Sequence, residues 1–205
     1  MESFFIDGNK FNFEIGQTKR IIKNLKINSL PRKYEVSLIN KSVEKSINEI
    51  VTISQTPILL IDSNIYKIYG SKIIKKNLLI YKFLATESKK NITECINFTN
   101  FLEKNNITKS STVIVVGGGI VQDIGAFSCS IYKRGIKWIY FPTTLLSMTD
   151  SCIGGKTALN HKNIKNLYAL FSSPYKVILN TQFLSTLSRK DILSGLGESL
   201  KLSII

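Results

Sequence analysis

The stretch TVIVVGGGIVQD, Thr112 to Asp123, limits more than any other how this chain can fold. Its β-branched run Val113 to Val116 predicts a fully buried strand, and the glycines Gly117, Gly118 and Gly119 end it. An amphipathic pattern from about Ile120 to Ile131 then predicts a helix. A strand that passes through glycines into a helix suits a phosphate-bearing ligand. Bare backbone can approach an anion closely, and the unpaired N–H groups and positive dipole end of the helix favour negative charge. Glycines also serve ordinary tight turns, so both readings stand on spacing alone.

The flanking pattern extends this unit into a sheet. PILLID from Pro57 reads as a buried strand, NIYKIYG as a short helix and NLLIYKFL as another strand. Residues 91 to 104 read as a helix with apolar positions at Ile92, Cys95, Ile96 and Leu102. Past the glycines come a strand from Lys137 to Phe141 stopped by Pro142, a helix-and-loop region, and the short strand KVILN. Ser188 to Asp191 then open a final helix expected to bury Ile192, Leu193, Leu196 and Leu200. Its end carries no Gly, Pro or polar tail, so an apolar surface is left with nothing in the sequence to cover it. Upstream, SFFI, FNFEI and KYEVSLI read as strands separated by turns at Gly8 and at Pro31 to Arg32. Alternating strands and helices define an α/β fold with a mostly parallel sheet and flanking helices.

Composition narrows the partners. Among 205 residues, 28 Lys and Arg face 14 Asp and Glu, a formal charge of +14. The basic residues are scattered as Lys-Lys and Lys-Asn pairs rather than gathered in an Arg-rich stripe, which favours a small anionic substrate over nucleic acid. The three cysteines Cys95, Cys129 and Cys152 lack any Cys-x-x-Cys spacing, against both a disulfide framework and a thiolate zinc site. MESFFIDGNKFNFEIG has acids where a signal peptide would be basic, and no stretch reaches membrane-spanning length. The expectation is a soluble cytoplasmic protein in a reducing compartment, with neither nucleic acid nor membrane as partner.

Several residues could carry chemistry, each with an ordinary structural alternative. Asp123 is placed on the first helical turn, either as a favourable dipole charge or as an acid orienting a cofactor. Arg134, beside Lys133, suits fork-like contacts to carboxylate or phosphate, or is a solvated loop charge. Thr143 and Thr144 follow a strand end, where open parallel sheets place ligands, or they make a local turn. Asp150 to Thr157, DSCIGGKT, ends like a phosphate-binding loop of P-loop enzymes but lacks that motif's first glycine, which argues against a P-loop kinase. Glu198 and Lys201, three apart, form either a surface ion pair or part of a site, and the helix-interior glycines Gly195 and Gly197 point to a close approach to the backbone. His161 is the only histidine, so no His-based zinc site can be completed within this chain.

Taken together, GGGIVQD, YKRG, PTTLLS, DS-x-x-GGKT, N-H, KN and GLGE-x-x-K are collinear from Gly117 to Lys201 and resemble the 3-dehydroquinate synthase family of sugar-phosphate cyclases. The resemblance runs from Glu87 to the C-terminus. It implies a Rossmann-like NAD-binding domain over residues 1–187, with 188–205 as the first helix of a helical C-terminal domain that is otherwise absent. It implies a homodimer, an anionic sugar-phosphate substrate, and both NAD and a divalent metal, zinc or cobalt, as cofactors.

By the same resemblance NAD would contact Glu87, Lys90, Gly117 to Gly119, Ile120, Val121, Gln122, Asp123, Thr143, Thr144, and Phe183, Leu184, Ser185 and Thr186. Asp62 and Asn64 match more loosely. Asp150, Lys156 and Lys201 match catalytic positions, and Arg134, Lys165 and Asn166 match substrate-binding ones, with Lys156 and Lys165 also near the cofactor. Glu198 matches a metal ligand.

The implied reaction oxidises a hydroxyl transiently, eliminates phosphate, reduces the carbonyl again and closes a ring by an internal aldol step. In the family this turns a sugar acid phosphate (DAHP) into 3-dehydroquinate on the shikimate route to aromatic amino acids. Two departures qualify it: the family's two metal-binding histidines are absent, so the chain alone is expected not to complete the reaction, and GIVQD, SMTDSC and GLGESLKLS differ from the commonest wording, which leaves other sugar phosphates open. A glycerol-dehydrogenase-like polyol dehydrogenase and a non-catalytic nucleotide-binding protein are the alternatives.

Overall fold

Period-two alternation sorts the central strands into two apolar faces, and the helices follow from that. In the computed structural model, which describes residues 2–6, 9–13, 23–29, 31–74 and 76–204, strands β1 (Glu2–Ile6) and β2 (Asn9–Phe13) form an antiparallel pair of their own. The turn expected at Gly8 lies outside the described residues. Strands β3 (Asn24–Ile27) and β4 (Tyr34–Ile39) join β5 (Pro57–Asp62), β6 (Leu79–Phe83), β7 (Thr112–Gly117), β8 (Lys137–Pro142) and, later in the chain, a strand at Lys176–Asn180 in a seven-stranded sheet. Only β3 runs antiparallel to its neighbour.

Ile58, Leu60, Val113, Val115, Trp138 and Tyr140 point to one face, where α3 (Ile92–Lys104) and α4 (Gly119–Ile131) pack with Cys95, Phe98, Leu102, Val121 and Ile124. Leu59, Ile61, Ile114, Val116, Ile139 and Phe141 point to the other, covered by α1 (Val43–Ile53) and α2 (Ser63–Tyr69). Both faces being covered makes a doubly wound α/β sheet, as expected. Helix α4 lies close on its face: a Cβ at Gly125 would come within 2.7 Å of Val115.

Helix α1 has no counterpart among the sequence expectations. Its signals are local: Ser42 caps it by accepting from the Lys45 N–H, and Val43, Ile47 and Val51 repeat every fourth residue on its buried side.

The helix-and-loop region expected between β8 and KVILN is corrected. After one π-helical turn at Ser147–Ser151 the chain forms an antiparallel hairpin, β9 (Lys156–His161) and β10 (Ile164–Phe171). Leu159 anchors β9 in the core beside α4, while most of β10 is exposed on both sides, so its pattern carried no clear period. KVILN is β11 (Lys176–Asn180), and a 3₁₀ segment at Thr181–Thr186 leads to α5 (Arg189–Ile204).

The expected burial of α5 is corrected as well: Leu193, Leu196 and Leu200 are 55%, 44% and 60% exposed, and Gly195 is its one buried residue. Nothing in the described residues covers that face. No helix among them is long and apolar enough to cross a membrane.

Candidate functional site

The strand order β3-β4-β11-β8-β7-β5-β6 places the crevice. From β5 the chain steps outward to β6 and then returns to the other side of β5 as β7, so connections diverge at the β5 and β7 carboxyl ends. Such a switch point leaves a crevice for ligands. Here it is a cleft of about 470 Å³, lined at the strand ends by Asp62, Gly118, Gly119, Thr143 and Thr144, with Asn64 and Ile120 beside them. Thr186, Leu187, Asp191 and Ser194 supply its far wall.

The glycine turn is shaped for an occupant. Gly118 packs so near Thr144 that a Cβ there would sit 3.1 Å from its methyl, whereas a Cβ at Gly119 would meet only Ser151 Oγ at 3.8 Å. No side chain caps α4, so its first-turn N–H groups open towards the cleft. Thr144 and Ser147 hydroxyls bond each other at 2.9 Å and hold the turn after β8. Asp62 caps α2, accepting the Asn64 N–H at 2.7 Å, and burial raises its carboxyl above the ordinary value.

A second cleft, about 890 Å³, continues from the first across Gly119, Ile120 and Leu146. Glu87, Lys90, Asp123, Asp150, Lys156 and Asn166 line it. One polar network fixes several of them. Lys90 Nζ stands 2.7 Å from Asp123 Oδ2 and donates to Asn166 Oδ1 at 2.8 Å. Asp123 Oδ1 accepts the Ala158 N–H, Asn160 Nδ2 donates to Glu87 Oε1 at 2.8 Å, and the Asn166 N–H donates to Asn160 Oδ1. Asn160 is thus a site residue that the sequence reading passed over. Its signal was the N-H pair, in which His161 drew the notice.

Asp123 departs from expectation in place. It lies on the second turn of α4, not the first, and its charge answers Lys90 rather than the dipole. Burial is the largest influence on its carboxyl and raises its pKa, against the lowering by Lys90 and by the hydrogen bonds. Lys156 is exposed at the start of β9, a free cation facing the cleft among the described residues.

Other expected residues stand elsewhere. The side chains of Val121 and Phe183 are fully buried core, Val121 against Gly117 and Phe183 edge-on to Tyr69 at 5.7 Å between ring centres, so any ligand contact from them is through backbone. Gln122 is 4% exposed and both ends of its amide bond Ser151. Leu184 is half-buried and Ser185 exposed, donating to the Gln182 carbonyl. Lys165 lies on the outer side of the hairpin in a separate hollow with Lys162, Ser88 and Asn91. Arg134 is exposed in a left-handed turn before β8, at the opposite end of the sheet from both clefts. Glu198 and Lys201 pair with each other on α5 and line neither cleft. Among the described residues no three His, Cys, Asp or Glu side chains converge.

Fold and clefts together define a doubly wound α/β domain with a cleft at its switch point and a second cleft, lined by both acids and lysines, beside it. Residues 80–194 match the family model "3-dehydroquinate synthase N-terminal". The chain therefore belongs to the 3-dehydroquinate synthase family. It is 37% identical over 188 residues to the 3-dehydroquinate synthase of Pelagibacter ubique, an alignment covering 88% of this chain and 51% of that protein. The chain spans about half the length of the curated relatives it matches. Among solved structures, 2-epi-5-epi-valiolone synthase from Streptomyces hygroscopicus, with NAD⁺ and Zn²⁺ bound, superposes with a TM-score of 0.74 at 22% identity, over 85% of this chain and 50% of that one. A 2-deoxy-scyllo-inosose synthase complexed with carbaglucose-6-phosphate, NAD⁺ and Co²⁺ gives 0.71 at 21% identity, over 84% of this chain and 50% of that one. At such identities the likeness is one of fold.

Proposed function

We propose that this chain is the cofactor-binding half of a 3-dehydroquinate synthase, holding NAD in the first cleft and a sugar acid phosphate in the second. The observation that carries the reading is the junction of the two clefts at Gly119 and Ile120, directly over the open N-terminus of α4. There a dinucleotide's pyrophosphate meets N–H groups, and its reactive end reaches the cleft that holds Lys90, Lys156 and Asp150.

NAD, when bound, takes a hydride from a substrate hydroxyl and later returns it. The protein's part is charge and orientation. Lys156 offers an ammonium to the substrate's phosphate or carboxylate, and Asp150, across the same cleft, is placed to accept a hydroxyl proton. Lys90 is held by Asp123 and Asn166, so its ammonium keeps a fixed direction. Arg134, Lys165 and Lys201, matched to substrate positions in the family, stand outside the cleft in this chain, and a role for them requires a partner surface or a rearrangement. A homodimer in the cytoplasm fits the reading.

Glu198 is the single residue matched to a metal ligand and it faces Lys201, so no step is assigned to a metal here.

Calorimetric titration with NAD⁺ tests the proposal. One molecule bound per chain, lost in Gly119→Val, supports it; no heat at millimolar NAD⁺ overturns it. The same 205-residue chain is expected to release no phosphate from the sugar acid phosphate, and a measured turnover would contradict that. Net NADH release from a phosphate-free polyol would instead establish the dehydrogenase alternative.

A further inference from the structure

Asp150 and Lys156 stand near the two ends of one irregular segment, the π-helical turn and the Cys152 to Gly155 loop that follows it. Side chains from distant parts of the fold hold both ends. At the first, Gln122 Nε2 donates to the Ser151 carbonyl at 2.7 Å and Ser151 Oγ donates to Gln122 Oε1 at 2.8 Å. At the second, the buried Tyr34 hydroxyl of β4 accepts the Gly154 N–H at 2.9 Å and donates to the Cys152 carbonyl at 3.3 Å. Gly155, at φ 68°, turns the chain into β9, with its carbonyl accepting the Ser172 N–H at 2.7 Å. Neither Gln122 nor Tyr34 lines either cleft.

We infer that Gln122 and Tyr34 are positioning residues for the substrate cleft: by clamping Ser151 and the Cys152–Gly154 turn they set where the Asp150 carboxylate and the Lys156 ammonium stand. What those two groups do rests on the function proposed above; that they are placed by the clamp does not. Gln122 thereby acts on the substrate side, although its sequence position lies inside the cofactor motif. A smaller residue at that place would leave Ser151 without either partner. The buried amide is therefore specific to the Asp-Ser turn it holds, since both of its functional ends are used.

The test uses the 205-residue chain and three substitutions: Gln122→Leu, Gln122→Glu and Tyr34→Phe. Amide exchange read by mass spectrometry over residues 148–156 is expected to quicken about tenfold in Gln122→Leu and Tyr34→Phe, with the sheet strands unchanged. Affinity for sulfate, a non-titrating probe for the Lys156 ammonium, falls about fivefold while NAD⁺ affinity moves less than twofold.

Gln122→Glu supplies the conservative control. Its carboxylate keeps the acceptor for Ser151 Oγ but regains the donor for the Ser151 carbonyl only when protonated. Protection over residues 148–156, compared with the wild type at the same pH, should therefore recover as pH falls from about 8 to about 5.

Unchanged exchange over 148–156 in both Gln122→Leu and Tyr34→Phe overturns the inference. So does a loss of NAD⁺ affinity without loss of sulfate affinity, which would return Gln122 to the cofactor. A wild-type chain that binds neither probe refutes the functional reading, and the exchange pattern still decides the clamp.

Discussion

Lys90 and Asp123 show how one ion pair ties the site together. Their side chains are 13% and 16% exposed, so each charge depends on the other for the solvation it has lost. Burial nevertheless dominates and holds the Asp123 pKa above the ordinary value. The sign follows: between the unfolded and the raised folded pKa the native state keeps a proton that the unfolded chain has released. That contribution is complete below the unfolded value near 4 and is lost as pH rises through the folded one. Lys90→Met removes the compensating cation and should widen that window. Urea melts are expected to show a loss of about 3 kcal/mol near neutrality and a clearly smaller one near pH 4; an equal loss at both would show that Asp123 does not feel Lys90.

The cysteines behave alike at this scale. Cys95 and Cys152 are buried and pushed up to about 12, and burial raises Cys129 as well. Thiolate is the reactive form, so native protein at about pH 8 should resist iodoacetamide at all three positions and take it up only after denaturation, as peptide mass spectrometry would report.

At the scale of elements, α5 depends on a missing side chain. A Cβ at Gly195 would lie 2.6 Å from Leu145 Cβ and 2.8 Å from the Leu146 backbone nitrogen, where the helix crosses the turn after β8. Ser199 Oγ, donating to Thr149 Oγ1 at 3.1 Å, marks the same crossing one turn on. Gly197 has open space around it. Both glycines read alike in sequence, as helix breakers of similar cost, and only the crossing separates them. Gly195→Ala should loosen α5, costing about 1–3 kcal/mol through overpacking, whereas Gly197→Ala should stabilise by about 0.5–1 kcal/mol through helix propensity. Thermal melts with amide exchange over residues 189–204 would check both signs. The hairpin β9–β10 was the element least legible in sequence. Apolar Leu159 faces α4, but Leu167, Tyr168 and Phe171 are exposed, so no single face imposed a period on the pattern.

For the whole molecule, the uncovered strip of α5 matters most. Leu193, Leu196, Leu200 and Leu202 are all exposed, beyond what scattered surface leucines would present. The 205-residue chain is expected to bind an apolar dye such as ANS, and Leu193→Glu with Leu200→Glu should cut that signal severalfold while changing stability by about 0.5 kcal/mol or less per site. Unaltered dye binding in the double variant would place the sticky surface elsewhere.

The sequence by itself determined the doubly wound sheet and the place of the glycine turn at its cleft, because both follow from local patterns. Buried strands such as Val113 to Val116 announce themselves by unbroken β-branched runs, and the glycines that follow mark where that strand passes into a helix. Only the tertiary structure decided which motif residues face the cleft. Val121, Gln122 and Asp123 are consecutive, yet one is core, one clamps a distant turn and one meets Lys90. The reason is geometric: a helix turns about 100° per residue, so neighbours in a motif point to different partners, and those partners are brought in by chain far away in sequence.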